Sequence, residues 1–273
     1  MTFPRLQRRI LLCMAAVVIA LWVLMPLILI ALAAFTPRLE LYRWPKPIIP
    51  STFSTGTMSF FLHSHGVLPS LRNSVVVALL TLGMTLVVGA PAGYAVVRYR
   101  FRGREAFRLG ILMTRMFPTS LLAIPLIVKF IHWGLYDTLI GVALMHTAIA
   151  LPFAVIITSG VFSGVPKELE EAAMTLGCSR LGAFVRVALP LALPGLAAAA
   201  MFTFVISWNE VFAAAILTVR NRTLPAHVLV SLEGAPLDFR FAGAFFMIIP
   251  AVIFMALARR YLFQMWGGAI AER

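Results

Sequence analysis

Groups able to do chemistry are few in this chain, and their spacing excludes most kinds of it. Cys13 and Cys178 stand apart with no C-x-x-C pairing, so neither a disulfide framework nor a redox pair is expected. His63, His65, His132, His146 and His227 show no metal-ligand spacing, so no metal site is expected. No G-x-x-x-x-G-K-[ST], H-E-x-x-H or G-x-S-x-G occurs, and no catalytic carboxylates are paired. No catalytic residue is therefore assigned, and the chain has no loop of that kind to cradle nucleotide phosphates. What remains is two ionisable residues inside apolar runs. Arg115 stands before Met116-Phe117-Pro118, and Glu210 closes Trp208-Asn209-Glu210. Such groups mark a path for polar solutes, or they neutralise each other as an Arg115–Glu210 pair, or the arginine reaches back to the interface.

The elements that position these residues follow from composition. Of 273 residues, 61% are hydrophobic and 12% charged, and the mean hydropathy is +0.96. A soluble domain carries about twice that share of charge. The sequence therefore predicts an all-α polytopic membrane protein, because lipid leaves helices and closed barrels as the only spanning structures. Ile10–Phe35 runs 26 residues without a charge. That is too long for a signal-peptide core, so a retained anchor helix is expected. Further spans are expected at about 73–97, 109–131, 138–162, 191–217 and 241–257, making six. Residues 1–273 then form a single transmembrane domain. Gly83, Gly89, Gly93 and Ala197–Ala200 suit close helix packing, and His146 suits an interhelical hydrogen bond.

The net charge of +13 follows topology. Arg5, Arg8 and Arg9 precede the first span, and Arg98, Arg100, Arg102, Arg104 and Arg108 crowd the loop 98–108. Lys167, Arg180 and Arg186 lie in loop 163–190, and Arg259, Arg260 and Arg273 in the tail. The opposite side is sparser: Arg38, Arg43, Lys46 and Arg72 spread over residues 36–72, and Lys129, Arg220, Arg222 and Arg240 lie beyond them. The positive-inside rule makes both termini cytoplasmic and removes any need for a nucleic-acid partner. The outer segments 36–72 and 218–240 are proline-bearing connections.

The loop 163–190 carries the most specific pattern. Ser163 and Pro166, then Glu168, Glu170 and Glu171, suit a helix start, and Gly177 suits its end. A second amphipathic stretch, 180–189, leads to Pro190. Within it, Glu171-Ala172-Ala173, Gly177 and Val187-Ala188-Leu189-Pro190 match E-A-A-x3-G-x9-I-x-L-P. That pattern is the signature of ABC importer permeases, and only Val187 departs from it. Leu71-Arg72-Asn73-Ser74, Gly93-Tyr94-Ala95 with Arg98, Phe101 and Gly103, Met116-Phe117-Pro118 and Trp208-Asn209-Glu210 also resemble recurrent family motifs. From Leu71 to Gly268 the chain resembles the smaller permease of maltose-type carbohydrate importers, without the usual terminal Lys-Gly.

The resemblance implies an inner-membrane, multi-pass subunit of a bacterial importer for a sugar, polyol or glycoside, working by alternating access. It implies no cofactor on this chain. ATP and Mg would sit on two separate ATPase subunits. A homologous second permease would complete the channel, and a periplasmic or lipid-anchored solute-binding protein would dock outside. Glu171, Ala172, Ala173 and Gly177 would form the coupling helix seated on an ATPase. Arg115, Phe117, Trp208, Asn209 and Glu210 would line the substrate path, and Arg115, where the family often has a neutral residue, would suit an anionic sugar. Two alternatives stand beside this reading. One is a permease for another solute, such as glycerol phosphate or an amino acid. The other is an ion-driven secondary transporter, against which the loop signature and the scarcity of intramembrane carboxylates count.

Overall fold

A computed structural model describes residues 5–45, 47–116, 120–231 and 234–271. All regular structure among them is helical. In chain order the helices are α1 (Arg5–Ala34), α2 (Arg38–Leu41), α3 (Gly56–His63), α4 (Val67–Arg98), α5 (Arg104–Met113), α6 (Ala123–His132) and α7 (Leu139–Ser163). There follow α8 (Lys167–Thr175), α9 (Arg180–Ala183), α10 (Leu189–Asn209), α11 (Phe212–Leu217), α12 (Leu224–Ser231) and α13 (Leu237–Ala271). Five stretches are long and apolar enough to cross a bilayer: Gln7–Ala34, Val67–Arg98, Leu139–Ser163, Arg180–Asn209 and Leu237–Leu257.

Two of the six expected spans differ from the sequence reading. The stretch 109–131 is not one described helix. α5 tightens into a 3-10 turn at Thr114–Met116, and α6 begins at Ala123. Pro118 lies between them in sequence and has no N–H to give Thr114, so the α-helical bonding pattern has no donor there. The stretch 191–217 is interrupted at Glu210, whose backbone is extended with ψ 111°. The same span begins earlier than expected. α9 runs through a π turn, Phe184–Ala188, into α10. Pro190 explains the wider turn, because it has no N–H to give Arg186 and its ring crowds that carbonyl. Ser163 does not cap α8; its hydroxyl donates to Gly160 O.

The chain divides into two compact units. The first comprises residues 1–68 and 230–249. Its centre is Phe61, packed edge-on against Phe239 and Phe246, with Phe35 edge-on against Phe245. The Glu40 carboxylate accepts from Ser51 N and Oγ and closes the loop after α2. Residues 7–29 of α1 are exposed within the chain.

The second unit comprises residues 69–229 and 250–273. Its axis is α7, more than half buried along its apolar length. Thr138 caps α7 by accepting from Gly141 N at 3.0 Å. α4 runs parallel to α7, since Thr81 donates to Ala143 O and Thr158 donates to Gly89 O. α10 runs antiparallel, with Ser207 bonded to His146 Nδ1 and Gly195 against Val161. The expected interhelical bond of His146 is thus present. Lipid supplies no hydrophobic drive between helices, so close packing and such bonds set the register.

Two glycines of α4 separate packing from mere composition. A Cβ at Gly93 would meet Thr158 and lie 2.8 Å from Ser159 N, whereas at Gly83 it would meet nothing within 4 Å. Gly93→Ala is expected to destabilise by about 1–3 kcal/mol. Gly83→Ala is expected to be neutral or stabilising by up to about 1 kcal/mol. Denaturing-detergent titration of the purified protein checks both.

Candidate functional site

The expected short helix after Pro166 is α8, and Gly177 ends it with φ +94°. Cys178 N donates to Ala173 O and Gly177 N to Met174 O, both at 3.0 Å, which satisfies the last carbonyls. A Cβ at Gly177 would meet nothing within 4 Å. The glycine is therefore needed for its left-handed backbone and not for room. Ser179 then caps α9 by accepting from Gly182 N.

α8 has two faces. Glu171, Ala172, Met174, Thr175 and Leu176 are exposed, and Ala173 is half-buried. Leu176 is 88% exposed. Glu170, one residue before Glu171, is buried. Its Oε1 accepts from Arg98 Nε at 2.8 Å and lies 2.6 Å from Arg98 Nη2. Its Oε2 accepts from the Tyr94 hydroxyl at 2.5 Å. Arg98 Nη2 also donates to Val165 O at 2.6 Å. Both charged side chains are 7% exposed. Removing one partner of such a pair costs about 3–5 kcal/mol, because the other charge is left buried alone. The Tyr94 ring packs on Phe184 and edge-on against Phe162. Sequence reasoning passed over Glu170. The available signal was the i, i+4 spacing of Tyr94 and Arg98 at the end of α4, facing an adjacent acidic pair.

The residues expected along a solute path are distributed differently. Arg115 Nη1 donates to Ile149 O at 2.9 Å, and its guanidinium lies 4.7 Å from the Phe153 ring centre. Glu210 Oε1 instead accepts from Ala213 N at 2.9 Å and starts α11. Among the described residues Arg115 and Glu210 form no ion pair with each other. Asn209 is exposed, and its amide donates to Val205 O. Trp208 is 3% exposed and stacks on Phe204, which stacks on Phe254. Its face is therefore taken by the protein. Phe117 lies outside the described residues.

A second cluster was not foreseen. Asp137 Oδ1 accepts from Val219 N, Arg220 N and Asn221 N at 2.9, 3.0 and 3.0 Å. Asn221 Nδ2 returns a bond to Asp137 O. Partial burial alone would raise the Asp137 carboxyl. The three amides and the Arg220 charge outweigh that and hold it below its ordinary value. Nearby in the same segment, Asn73 donates to Arg222 O and Ser74 accepts from Leu224 N. These are two residues of the Leu71-Arg72-Asn73-Ser74 motif. Among the described residues no group of histidine, cysteine or acidic side chains could hold a metal.

Residues 85–265 match the family described as binding-protein-dependent transport system inner membrane component. The chain is 33% identical over 251 residues to the arabinooligosaccharides transport system permease protein AraQ of Halalkalibacterium halodurans, covering 89% of each chain. It is 32% identical over 230 residues to the trehalose transport system permease protein SugB of Mycobacterium tuberculosis, covering 82% of this chain and 84% of that one. Its fold superposes with a TM-score of 0.77 on a crystal structure of a bacterial ABC transporter involved in import of the acidic polysaccharide alginate. That match covers 96% of this chain and 99% of the other at 21% identity.

The Asp137 cluster has a pH signature. Its folded pKa is depressed, so the stability it contributes is present above the unfolded value and lost as pH falls through the lowered folded one. Asp137→Asn is expected to cost about 1–2 kcal/mol and to flatten the acid limb of stability below about pH 4. Thermal unfolding of the purified protein from pH 3 to 7 checks both.

Proposed function

The chain belongs to the binding-protein-dependent transport system inner membrane components, and we propose that it is the permease subunit of an ATP-driven importer carrying a sugar, polyol or glycoside across a bacterial inner membrane. The observation that carries this reading is α8. It presents Glu171, Ala172 and Leu176 to a partner from a base that is buried and ion-paired. The names of the relatives, which speak of trehalose and arabinooligosaccharides, support the solute class.

In this reading residues 1–273 form one permease domain with both termini cytoplasmic. A homologous permease completes the channel, and two ATPase subunits with ATP and Mg bind below it. A solute-binding protein delivers the sugar from outside. Ala172 and Ala173 are small enough for close approach, and Glu171 forms a charge-assisted bond with a cationic group of the ATPase. Closure of the ATPases on nucleotide moves α8 and favours the outward-open state, and hydrolysis reverses it. The shift equals the difference in α8 contacts between the two ATPase states.

The test uses the complex purified from membranes with its binding protein. Glu171→Ala or Gly177→Val is expected to reduce solute-stimulated ATP hydrolysis by about tenfold. Unaltered stimulation in both variants, or a wild-type chain that recruits no ATPase, overturns the reading.

A narrower reading concerns the solute's charge. Arg115 is exposed and meets a carbonyl and a ring, with no carboxylate partner among the described residues. A cation so placed along the path favours an anionic glycoside. Arg115→Gln is expected to lower uptake of a uronate-bearing sugar by about tenfold and leave neutral sugars unchanged. Equal uptake by both forms excludes the idea.

A further inference from the structure

We propose that Arg98, Glu170 and Tyr94 are the rigid link by which α8 moves the cytoplasmic ends of α4 and α7. The proposal rests on the coupling role given to α8 above and names the residues that deliver its motion.

Besides its packing on α9 and on the π turn Phe184–Ala188, three connections join α8 to the rest of its unit. The covalent one before it, residues 164–166, begins with Gly164 and is not helical. The one after it, residues 176–179, turns at Gly177 with φ +94°. Neither is a lever, because single bonds beside a glycine rotate cheaply. The third connection is the side-chain bracket. Glu170 uses both of its oxygens, one on Arg98 and one on Tyr94. Arg98 spans the gap a second time, to Val165 O just ahead of α8. The guanidinium is planar and its donors point in fixed directions, so these bonds fix orientation as well as distance.

The bracket is also buried, with both charged side chains 7% exposed. A rotation of α8 that withdrew Glu170 would strand Arg98. Behind it, the Tyr94 ring is held between Phe162 at the end of α7 and Phe184 in the π turn. One residue earlier, Gly93 leaves no space between α4 and the Thr158–Ser159 backbone of α7. A push on the exposed face of α8 therefore reaches α4 and α7 together. The face that takes the push and the face that passes it on differ by one residue, Glu171 against Glu170.

These are positioning residues, so the test must read coupling and not assembly alone. The assembled complex in lipid nanodiscs, with its binding protein and transported sugar, gives solute moved per ATP hydrolysed. Glu170→Gln keeps the shape and removes the charge. It is expected to lower this ratio by about tenfold, the size of one coupling free energy, while ATPase subunits stay bound and hydrolysis persists. The exchange Arg98→Glu with Glu170→Arg is expected to recover part of the loss. Tyr94→Phe removes one hydroxyl and keeps the ring in its cluster. It decides the matter if Glu170→Gln fails to assemble, with an expected drop of about threefold. A wild-type ratio in every variant that assembles, or a fall in transport matched by an equal fall in hydrolysis, overturns the link and leaves the importer reading standing. A wild-type chain that recruits no ATPase overturns the importer reading itself.

Discussion

A carboxylate removed from water must be neutralised where it sits, and Glu170 imposes that requirement on everything around it. The counter-charge has to come from the last turn of α4, where a cation also complements the helix dipole. Once Arg98 is placed, Tyr94 is placed one turn earlier on the same face. Its hydroxyl takes the second carboxylate oxygen, and its ring enters the cluster of Phe162 and Phe184. Gly93 then has to be a glycine, because the α7 backbone passes where a Cβ would stand. The docking of a nine-residue surface helix and the register of two membrane-length helices are thus one problem with one solution.

The other ends of the same helices are fixed by the opposite arrangement. There, side chains grip backbone. Asp137, just ahead of α7, collects three successive amides of segment 219–221, and Asn73 and Ser74 of α4 hold residues 222 and 224. An irregular segment between α11 and α12 has polar groups that water satisfies only in part, and these side chains satisfy them instead. Between the two ends, α4 and α7 touch through Thr81, Gly89 and Thr158. Apolar surface gains nothing by leaving lipid for a neighbouring helix, so specificity has to come from such bonds and close contacts. Polar fastening at both ends with smooth packing between them suits helices that move as units.

Hydropathy made the existence of the spans legible, since lipid admits few alternatives. It did not make their interruptions legible. The break at Glu210 comes from one carboxylate that starts α11 by accepting from Ala213 N. Composition is blind to that, because the same carboxylate could have faced a cation. The break in the stretch 109–131 was legible, since Pro118 and Pro125 stand inside that apolar run and either can interrupt a helix. Among site residues, Gly177 was legible because a helix end needs a left-handed residue, and its φ of +94° follows from that need. Glu170 was not, because adjacent glutamates look alike until the helix separates them by about 100°. Trp208 shows the converse. An aromatic beside polar residues suggests a stacking surface, yet Phe204 already occupies its face.

The separation of Glu170 from Glu171 has a consequence for how such a helix can signal. Glu170 spends its charge inside the chain, on Arg98 and the Tyr94 hydroxyl. It contributes stiffness and no information. Glu171 is exposed, solvated and without an ion-pair partner among the described residues. Its charge costs nothing in water, and it gains interaction energy only when a cation is brought against it. That gain changes with the geometry of whatever docks there, and only such differences can shift an equilibrium between conformations. A helix with a single carboxylate would have to choose between being anchored and being read. Two carboxylates in succession, about 100° apart around the helix, allow both.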